Sequence, residues 1–432
     1  MELFDILVLV LSFGILLFLG MPISFSLGIC TILTLVLSVD PLSATTTVAQ
    51  RMATGLDSFA LLAIPFFILA GQFMNRGGIA SRLVDLAQAL LYGLRGSLGY
   101  VIILACMLFG AISGSAVAAA AAIGGFMIPM MVSEGYDRDF SAAVNVTSST
   151  TGMLIPPSNT LIVYAFASGG ASVTALFLAG YLPGILLGIG LMIVAGYQSY
   201  KKGYPKGDPV PLKELFLRLL RALPSILLIV IVIGGIVAGY FTATEASAVA
   251  VLYTFLLAVP IYGEVKWSEI ADVLLSTAKT TSMVMFLIAS SIAMSWMLSF
   301  EQIPQNISSA LLALSDSKIV ILLIINIILL VIGTFMDITP AILIFTPIFL
   351  PVVTSLGIDP VHFGIIIVLN LSVGLCTPPV GTALFVGTGI ANTTIARMIK
   401  PLAPLYIVMI IWLLVVTFVP ELSMFLPDAF GF

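Results

Sequence analysis

The chain has 432 residues, of which 60% are hydrophobic and only 8% charged, with a formal net charge of -4 and a mean hydropathy of +1.23. Its long apolar stretches have no polar face to turn to water, which excludes a soluble domain and makes it an all-α integral membrane protein. The small net charge carries no nucleic-acid signature, and membrane lipid is the partner that the composition demands. From Ile6 to Val39 no residue is charged, enough at roughly 20 residues per crossing helix for two spans broken near Gly20-Met21-Pro22. Glu2 and Asp5 stand where a cleaved signal would be basic, so the start reads as a span. Further spans are expected at 58–75, in a stretch 97–132 bent at its middle, in a span 140–168 broken at 150–158, and at 173–200. A polar linker, 201–221, holds Lys201, Lys202, Lys206, Lys213, Arg218 and Arg221. The order then repeats: spans near 222–241, 244–262 and 281–299, a bent stretch 319–355, a broken span 360–390 and a last span 401–420. Segments 76–95, 264–279 and 303–317 have mixed polarity and are expected along the membrane surface. Cys30, Cys106 and Cys376 lie in apolar runs and read as small buried side chains.

Each bent stretch is long enough for two short passes, and reads as a re-entrant hairpin. Each half, 1–200 and 222–432, then has five true crossings, and an odd number inverts the second half against the first. Cytoplasmic loops are enriched in Lys and Arg. With a cytoplasmic linker, all of the 16 basic residues except Arg51 and Lys318 fall inside, which places both termini on the opposite face.

The halves share a motif at an offset of 222 residues: Gly152-Met-Leu-Ile-Pro156-Pro157-Ser158-Asn159-Thr160 and Gly374-Leu-Cys-Thr377-Pro378-Pro379-Val380-Gly381-Thr382. Pro129, Ser133, Gly135 and Asp137 match Pro351, Ser355, Gly357 and Asp359 in the same register. Double proline breaks a helix, and within a bilayer such a break survives only where protein or a water-filled cavity satisfies the freed backbone. Paired breaks point to a transport site. The hairpin tips read Gly110-Ala-Ile-Ser113-Gly114-Ser115 and Gly333-Thr334-Phe-Met-Asp337-Ile-Thr339. Hard cations such as Na⁺ take several oxygen ligands, so one ion site is expected at Ser113 and Ser115 with the backbone of Thr151 and Gly152, and a second at Asp337 and Thr339 with the backbone of Gly374 and Thr377. Exposed helix N-termini at the breaks favour an anionic substrate. Gly/Ser clusters also serve close packing, as the alanines after Ser115 do. Asp337 is the stronger signal, since an ionisable group at mid-membrane is retained where it binds or carries something. Glu245, in Thr242-Ala-Thr244-Glu245-Ala, is either a second such coupling group or a helix cap at the interface. His362, beside Asp359-Pro360, takes no role. No phosphate-binding loop, metal cluster or Ser/His/Asp set is present, so neither ATP hydrolysis nor enzymatic chemistry is expected.

The whole chain resembles the large membrane subunit of tripartite ATP-independent periplasmic transporters, through Met21-Pro22-Ile-Ser-Phe25, Ile64-Pro65-Phe66-Phe67, Gly152 to Asn159, Thr242 to Ala246, Asp337 and Thr377-Pro378-Pro379-Val-Gly381. The resemblance implies a bacterial inner-membrane importer coupled to two or more Na⁺. Its hairpins and broken helices would slide as an elevator against a scaffold. It also implies a small four-helix membrane subunit, expected as a separate polypeptide since the chain opens on its first span, and a periplasmic substrate-binding protein. By the family pattern Ser113 to Ser115 with Gly152 form one sodium site and Asp337 to Thr339 with Gly374 the other, while Pro156, Ser158, Asn159, Pro378 and Thr382 lie near the substrate. Val380-Gly381 replaces Ser158-Asn159 in the second half, so the two sites differ chemically. C4-dicarboxylates and sialic acid are the usual organic-anion substrates, and overall similarity leans to sialic acid. A stand-alone Na⁺- or H⁺-coupled dicarboxylate or citrate carrier shares the architecture and needs no soluble partner. A channel would need pore rings of like charge, which are absent.

Overall fold

The computed structural model describes residues 2–91, 93–207, 210–315 and 317–432, and the backbone alone at residues 2, 3, 80, 112 and 312. These residues form twenty α-helices and no strand. Among the described residues nine helical stretches are long and apolar enough to cross a membrane. Two apolar helices, α1 (Glu2–Phe18) and α2 (Ile23–Ser38), meet at Gly20, which takes φ +78. Asp40 then caps α3 (Pro41–Gly55), accepting the Ser43 amide at 3.0 Å. This amphipathic helix was not expected. Next come α4 (Ala63–Arg76) and α5 (Ile79–Leu91), the latter covering the first mixed-polarity segment.

The bent stretches resolve into helix pairs: α6 (Ser97–Ser113) and α7 (Ala116–Ser133), and α15 (Lys318–Phe335) and α16 (Ile338–Ser355). The first turns at Gly114, in left-handed conformation at φ +60, and Ser115 caps α7 by accepting the Ala118 amide at 3.2 Å. The second turns at Met336-Asp337, and the Asp337 carboxylate accepts the Ile338 amide at 2.9 Å. Each broken span is also a pair. Helix α8 (Arg138–Ser149) passes through a short tight turn at Thr151–Met153 and a cis Pro156-Pro157 bond into α9 (Asn159–Ala167). Helix α17 (Pro360–Gly374) passes through a cis Pro378-Pro379 bond into α18 (Thr382–Ala391).

Matched positions share local geometry. Gly135 and Gly357 both adopt left-handed φ, +86 and +73, beyond the ends of α7 and α16. Asp137 and Asp359 both cap the next helix, accepting amides at 2.9 Å from Asp139 and 2.7 Å from Val361. Helices α8 and α17 are buried from Phe140 to Ser149 and from Val361 to Gly374. Hydroxyls in such a setting need partners, and Thr147, Ser148, Ser149, Thr150 and Thr151 all donate to carbonyls three or four residues back. Among the bonds that join the halves, two lie close to the breaks: the Tyr164 hydroxyl on α9 donates to the Pro360 carbonyl at 2.5 Å, and the Cys376 thiol donates to the Val146 carbonyl at 3.4 Å.

Between the halves runs α10 (Val173–Lys202), then α11 (Leu212–Val237), α12 (Ala243–Leu256) and α13 (Ile270–Phe300). The polar linker is thus shorter than expected, since α11 begins at Leu212 with Glu214 and Arg218 paired along one turn and leucines on the rest. Linker residues 208 and 209 lie outside the described residues. Helix α13 also corrects an expectation: 264–279 and 281–299 do not separate into a surface segment and a span, because one helix of 31 residues runs through most of both. Hydroxyls in this stretch bond to their own helix, Thr277 to Val273 at 2.8 Å and Thr280 to Ser276 at 3.0 Å, so their polarity forces no break. The chain closes with α14 (Ile303–Leu314), α19 (Ile395–Phe418) and α20 (Glu421–Phe430).

The helices pack in two groups. In one, α13 packs on α2, α3 and α4, α12 on α4 and α11, and α11 on α5. In the other, α8 and α17 are wrapped by α6, α7, α10, α15, α16, α18 and α19. The groups meet where α5 and α4 pack on α6, where α4 touches α9 and where α13 touches α16.

Candidate functional site

A cavity of about 220 Å³ lies at that meeting. It brings together six of the residues expected from the sequence: Ser113, Gly114, Ser115, Asn159, Asp337 and Thr339, with Met153 and Leu375 beside them. Both hairpin tips and the first broken span therefore face one space. Close backbone contact makes this possible. A Cβ on Gly110 would lie 2.8 Å from the Gly152 Cα, and one on Gly374 would lie 2.6 Å from the Gly333 Cα. Each hairpin thus rests directly on the break of its own half. A Cβ on Gly114 would meet the Asn159 side chain at 2.8 Å, so glycine there admits the amide to the tip.

The polar inventory of the cavity is open. The Ser113 hydroxyl has only 3.5 Å contacts, to the carbonyl and amide of Ser115, too long to hold it firmly. The Asn159 Oδ1 is buried without a hydrogen-bond partner. Asp337 accepts one amide, and among the described residues no ion pair engages its carboxylate. Buried acceptors left unpaired are costly, and a hydroxyl, an amide oxygen and a carboxylate together suit a hard cation or the donors of a polar solute. No group of three His, Cys, Asp or Glu occurs among the described residues, so oxygen atoms are the donor set.

The other expected residues stand behind or away from this space. Thr151, Gly152 and Gly374 form the second layer, with Thr377, whose hydroxyl donates to the Val373 carbonyl and meets the Tyr406 hydroxyl, both at 3.0 Å. Ser158 is fully buried, donating to the Met153 carbonyl at 2.5 Å and touching the Thr160 hydroxyl at 2.6 Å, so its side chain is used inside the break. Pro156, Pro378 and Thr382 also lie outside the lining, although the Thr382 hydroxyl is buried and unpartnered. Glu245 is exposed on α12, where it forms a capping box: its carboxylate accepts the amide and hydroxyl of Thr242, both at 2.8 Å. Of the two readings of Glu245, the structure gives the cap.

Sequence reasoning missed the opposite wall, Ile64 and Ile68 of α4 and Thr280 and Val284 of α13. By sequence Thr280 adjoins the mixed-polarity segment 264–279. It also missed two braces. Asn145 on α8 donates to the Ala120 carbonyl of α7 at 3.0 Å, and Asn370 on α17 donates to the Asn326 carbonyl and side chain of α15 at 2.9 and 2.7 Å.

Comparison with known proteins supplies the family. Residues 10–422 match the family described as tripartite ATP-independent periplasmic transporter, DctM component. The Salmonella typhimurium protein YgiK is 53% identical over 99% of this chain and 98% of its own. The C4-dicarboxylate TRAP transporter large permease protein DctM of Rhodobacter capsulatus is 40% identical over 95% of this chain and 96% of its own. The sialic acid TRAP transporter large permease protein SiaM of Vibrio cholerae is 38% identical over 96% of each. Among solved structures the Alcanivorax borkumensis YdaH transporter is similar at a TM-score of 0.64, covering 91% of this chain and 90% of its own at 14% identity, a likeness of fold alone. The protein thus belongs to the DctM component of the tripartite ATP-independent periplasmic transporters, as a multi-pass large permease subunit that transports and is not an enzyme.

Proposed function

We propose that this chain imports an organic acid across the bacterial inner membrane by Na⁺ symport, with the hairpins and broken helices moving as an elevator against the group built on α4, α11, α12 and α13. The observation that carries the reading is the central cavity, lined from one group by Ser113, Asn159 and Asp337 and from the other by Ile64 and Thr280. A site between two packed bodies gains access to either side when one body slides. The matched glycine contacts at Gly110/Gly152 and Gly333/Gly374 support inverted halves, 1–200 and 222–432, joined by a cytoplasmic linker, with both termini outside. Ser113, Gly114, Ser115, Thr151 and Gly152 are assigned to one ion, and Asp337, Thr339, Gly374 and Thr377 to a second. The unpartnered Asn159 Oδ1 is assigned to substrate.

A small membrane subunit and a periplasmic binding protein complete the machine, in keeping with a tripartite family. The substrate is an organic acid. Relatives named for C4-dicarboxylate and for sialic acid stand at 40% and 38% identity, so overall similarity gives no preference for sialic acid. The test is uptake of labelled succinate and sialic acid into liposomes holding this chain with its small subunit, with and without an inward Na⁺ gradient and the binding protein. Uptake that needs both supports the reading. Uptake without the soluble protein favours a stand-alone carrier, and uptake indifferent to Na⁺ rejects the symport.

A further inference from the structure

A second cavity, of about 410 Å³, lies elsewhere on the same meeting of helix groups. Arg51 and Thr54 of α3 and Ser291, Ser295, Trp296 and Ser299 of α13 line one side, while Leu343 and Pro347 of α16 and the end of α9 line the other. Along α13, Thr280 and Val284 face the central cavity and Ser291, Ser295 and Ser299 face this one, all at spacings of three or four residues or their sums. They therefore share one stripe of the helix. At about 1.5 Å per residue, Ser295 stands roughly 22 Å along the stripe from Thr280. Between them Ile288 is fully buried and separates the two spaces.

The cavity is open to the outside of the protein, with Arg51, Thr54 and Ser299 exposed. The Arg51 guanidinium lies 4.7 Å from the centre of the Trp296 ring, a contact that leaves its charge unneutralised. Among the described residues no carboxylate pairs with Arg51. The hydroxyls around it have already spent their protons: Thr54 donates to the Gln50 carbonyl at 2.9 Å, Ser291 to Leu287 at 2.8 Å and Ser299 to Ser295 at 2.9 Å. They offer lone pairs. One cation with a forked set of donors, beside several hydroxyl acceptors, complements a carboxylate that carries hydroxyl donors on its own chain. The volume is in the range of small-molecule sites. The α3 wall is tightly seated, since a Cβ on Gly55 would lie 2.5 Å from Ile292.

We propose that this cavity is a second binding site, taking a hydroxylated organic acid with its carboxylate on Arg51 and its hydroxyls on Thr54, Ser291 and Ser299, as a stage before the central cavity. The order of the two stages rests on the transport reading above; the site itself does not. With Arg51 outside, as the charge bias places it, arriving substrate meets this cavity first.

The test uses the purified full-length chain in Na⁺-free buffer, with potassium gluconate as probe, potassium succinate as the acid without hydroxyls and glucose as the neutral control, read by tryptophan fluorescence. Gluconate is expected to give a saturable change that disappears in Trp296→Phe and is absent with glucose. Arg51→Ala is expected to weaken it about tenfold or more and Arg51→Lys less, while Ser291→Ala with Ser299→Ala weakens gluconate but not succinate. An unchanged titration in Arg51→Ala, or no saturable change in the wild type, overturns the site. So does loss of the response on adding phosphatidylglycerol, which would give the guanidinium to a lipid headgroup. In liposomes Arg51→Ala is expected to raise KM with little change in kcat. Arg51-dependent binding without any uptake would keep this cavity and defeat the transport reading, and uptake without Arg51-dependent binding would do the reverse.

Discussion

Replacing Gly374 with alanine isolates the contact on which the second half of the site is built. The added Cβ would stand 2.6 Å from the Gly333 Cα and 2.7 Å from its carbonyl carbon. Carbon atoms rest at about 3.5–4.0 Å, so α15 and α17 must part by about 1 Å. Both obstructing atoms are backbone, and no rotamer change relieves them. Overpacking of this kind costs about 1–3 kcal/mol. The larger effect is on geometry: ligand distances around a metal ion tolerate only about 0.2 Å, and Asp337 is carried at the end of the helix that is displaced. Gly374→Ala is expected to lower the Tm and to raise the Na⁺ concentration for half-maximal uptake about tenfold or more. The control is Gly125→Ala on α7, where nothing lies within 4 Å of the new Cβ; helix propensity there gains up to about 1 kcal/mol, so Tm should hold or rise. Wild-type Tm and Na⁺ titration in Gly374→Ala, or equal damage from Gly125→Ala, would refute the reasoning.

Asp337→Asn keeps the acceptor for the Ile338 amide but removes the charge, so Tm should hold while half-saturating Na⁺ rises about tenfold or more; an unshifted Na⁺ titration would remove Asp337 from the coupling. Thr280→Val deletes a hydroxyl from the wall opposite the hairpins, and should raise the substrate KM by about fivefold with the Na⁺ dependence intact; an unchanged KM would show that α13 only confines the substrate. Glu245→Ala removes the capping box of α12 and is expected to lower Tm modestly while leaving Na⁺ dependence alone. A lost Na⁺ response in that variant would restore the carboxylate to coupling.

Much of this architecture was legible because interruptions leave compositional marks. Pro156-Pro157 and Pro378-Pro379 announce the broken spans, Gly114 and Asp337 the hairpin turns, and Asp137 and Asp359 the register shared by the two halves. What stayed hidden depends on tertiary neighbours. The chain has 37 glycines, and nothing local distinguishes Gly110 and Gly152 or Gly333 and Gly374 as pairs that touch. The run Lys279-Thr280-Thr281-Ser282 looks like the edge of a surface segment, yet the Thr280 and Ser282 hydroxyls fold back on their own helix and α13 continues through it. The family pattern puts Ser158 near the substrate, whereas the break itself uses its hydroxyl. Local polarity shows that a group needs a partner, and only packing decides which.

The bonds from Tyr164 to Pro360 and from Cys376 to Val146 bear on the shape of a sodium titration. They tie the broken span of each half to the helix preceding the break of the other, so an ion at the proposed first site would also steady the surroundings of Gly374 and Gly333. Occupancy of one site then makes the other cheaper to fill, a coupling carried by shared rigidity. Uptake is expected to rise with Na⁺ at a Hill coefficient above one, and to fall back towards one in Tyr164→Phe, which cuts one stitch and leaves every proposed ion ligand in place. A hyperbolic wild-type curve would mean that the two halves fill as strangers within one body.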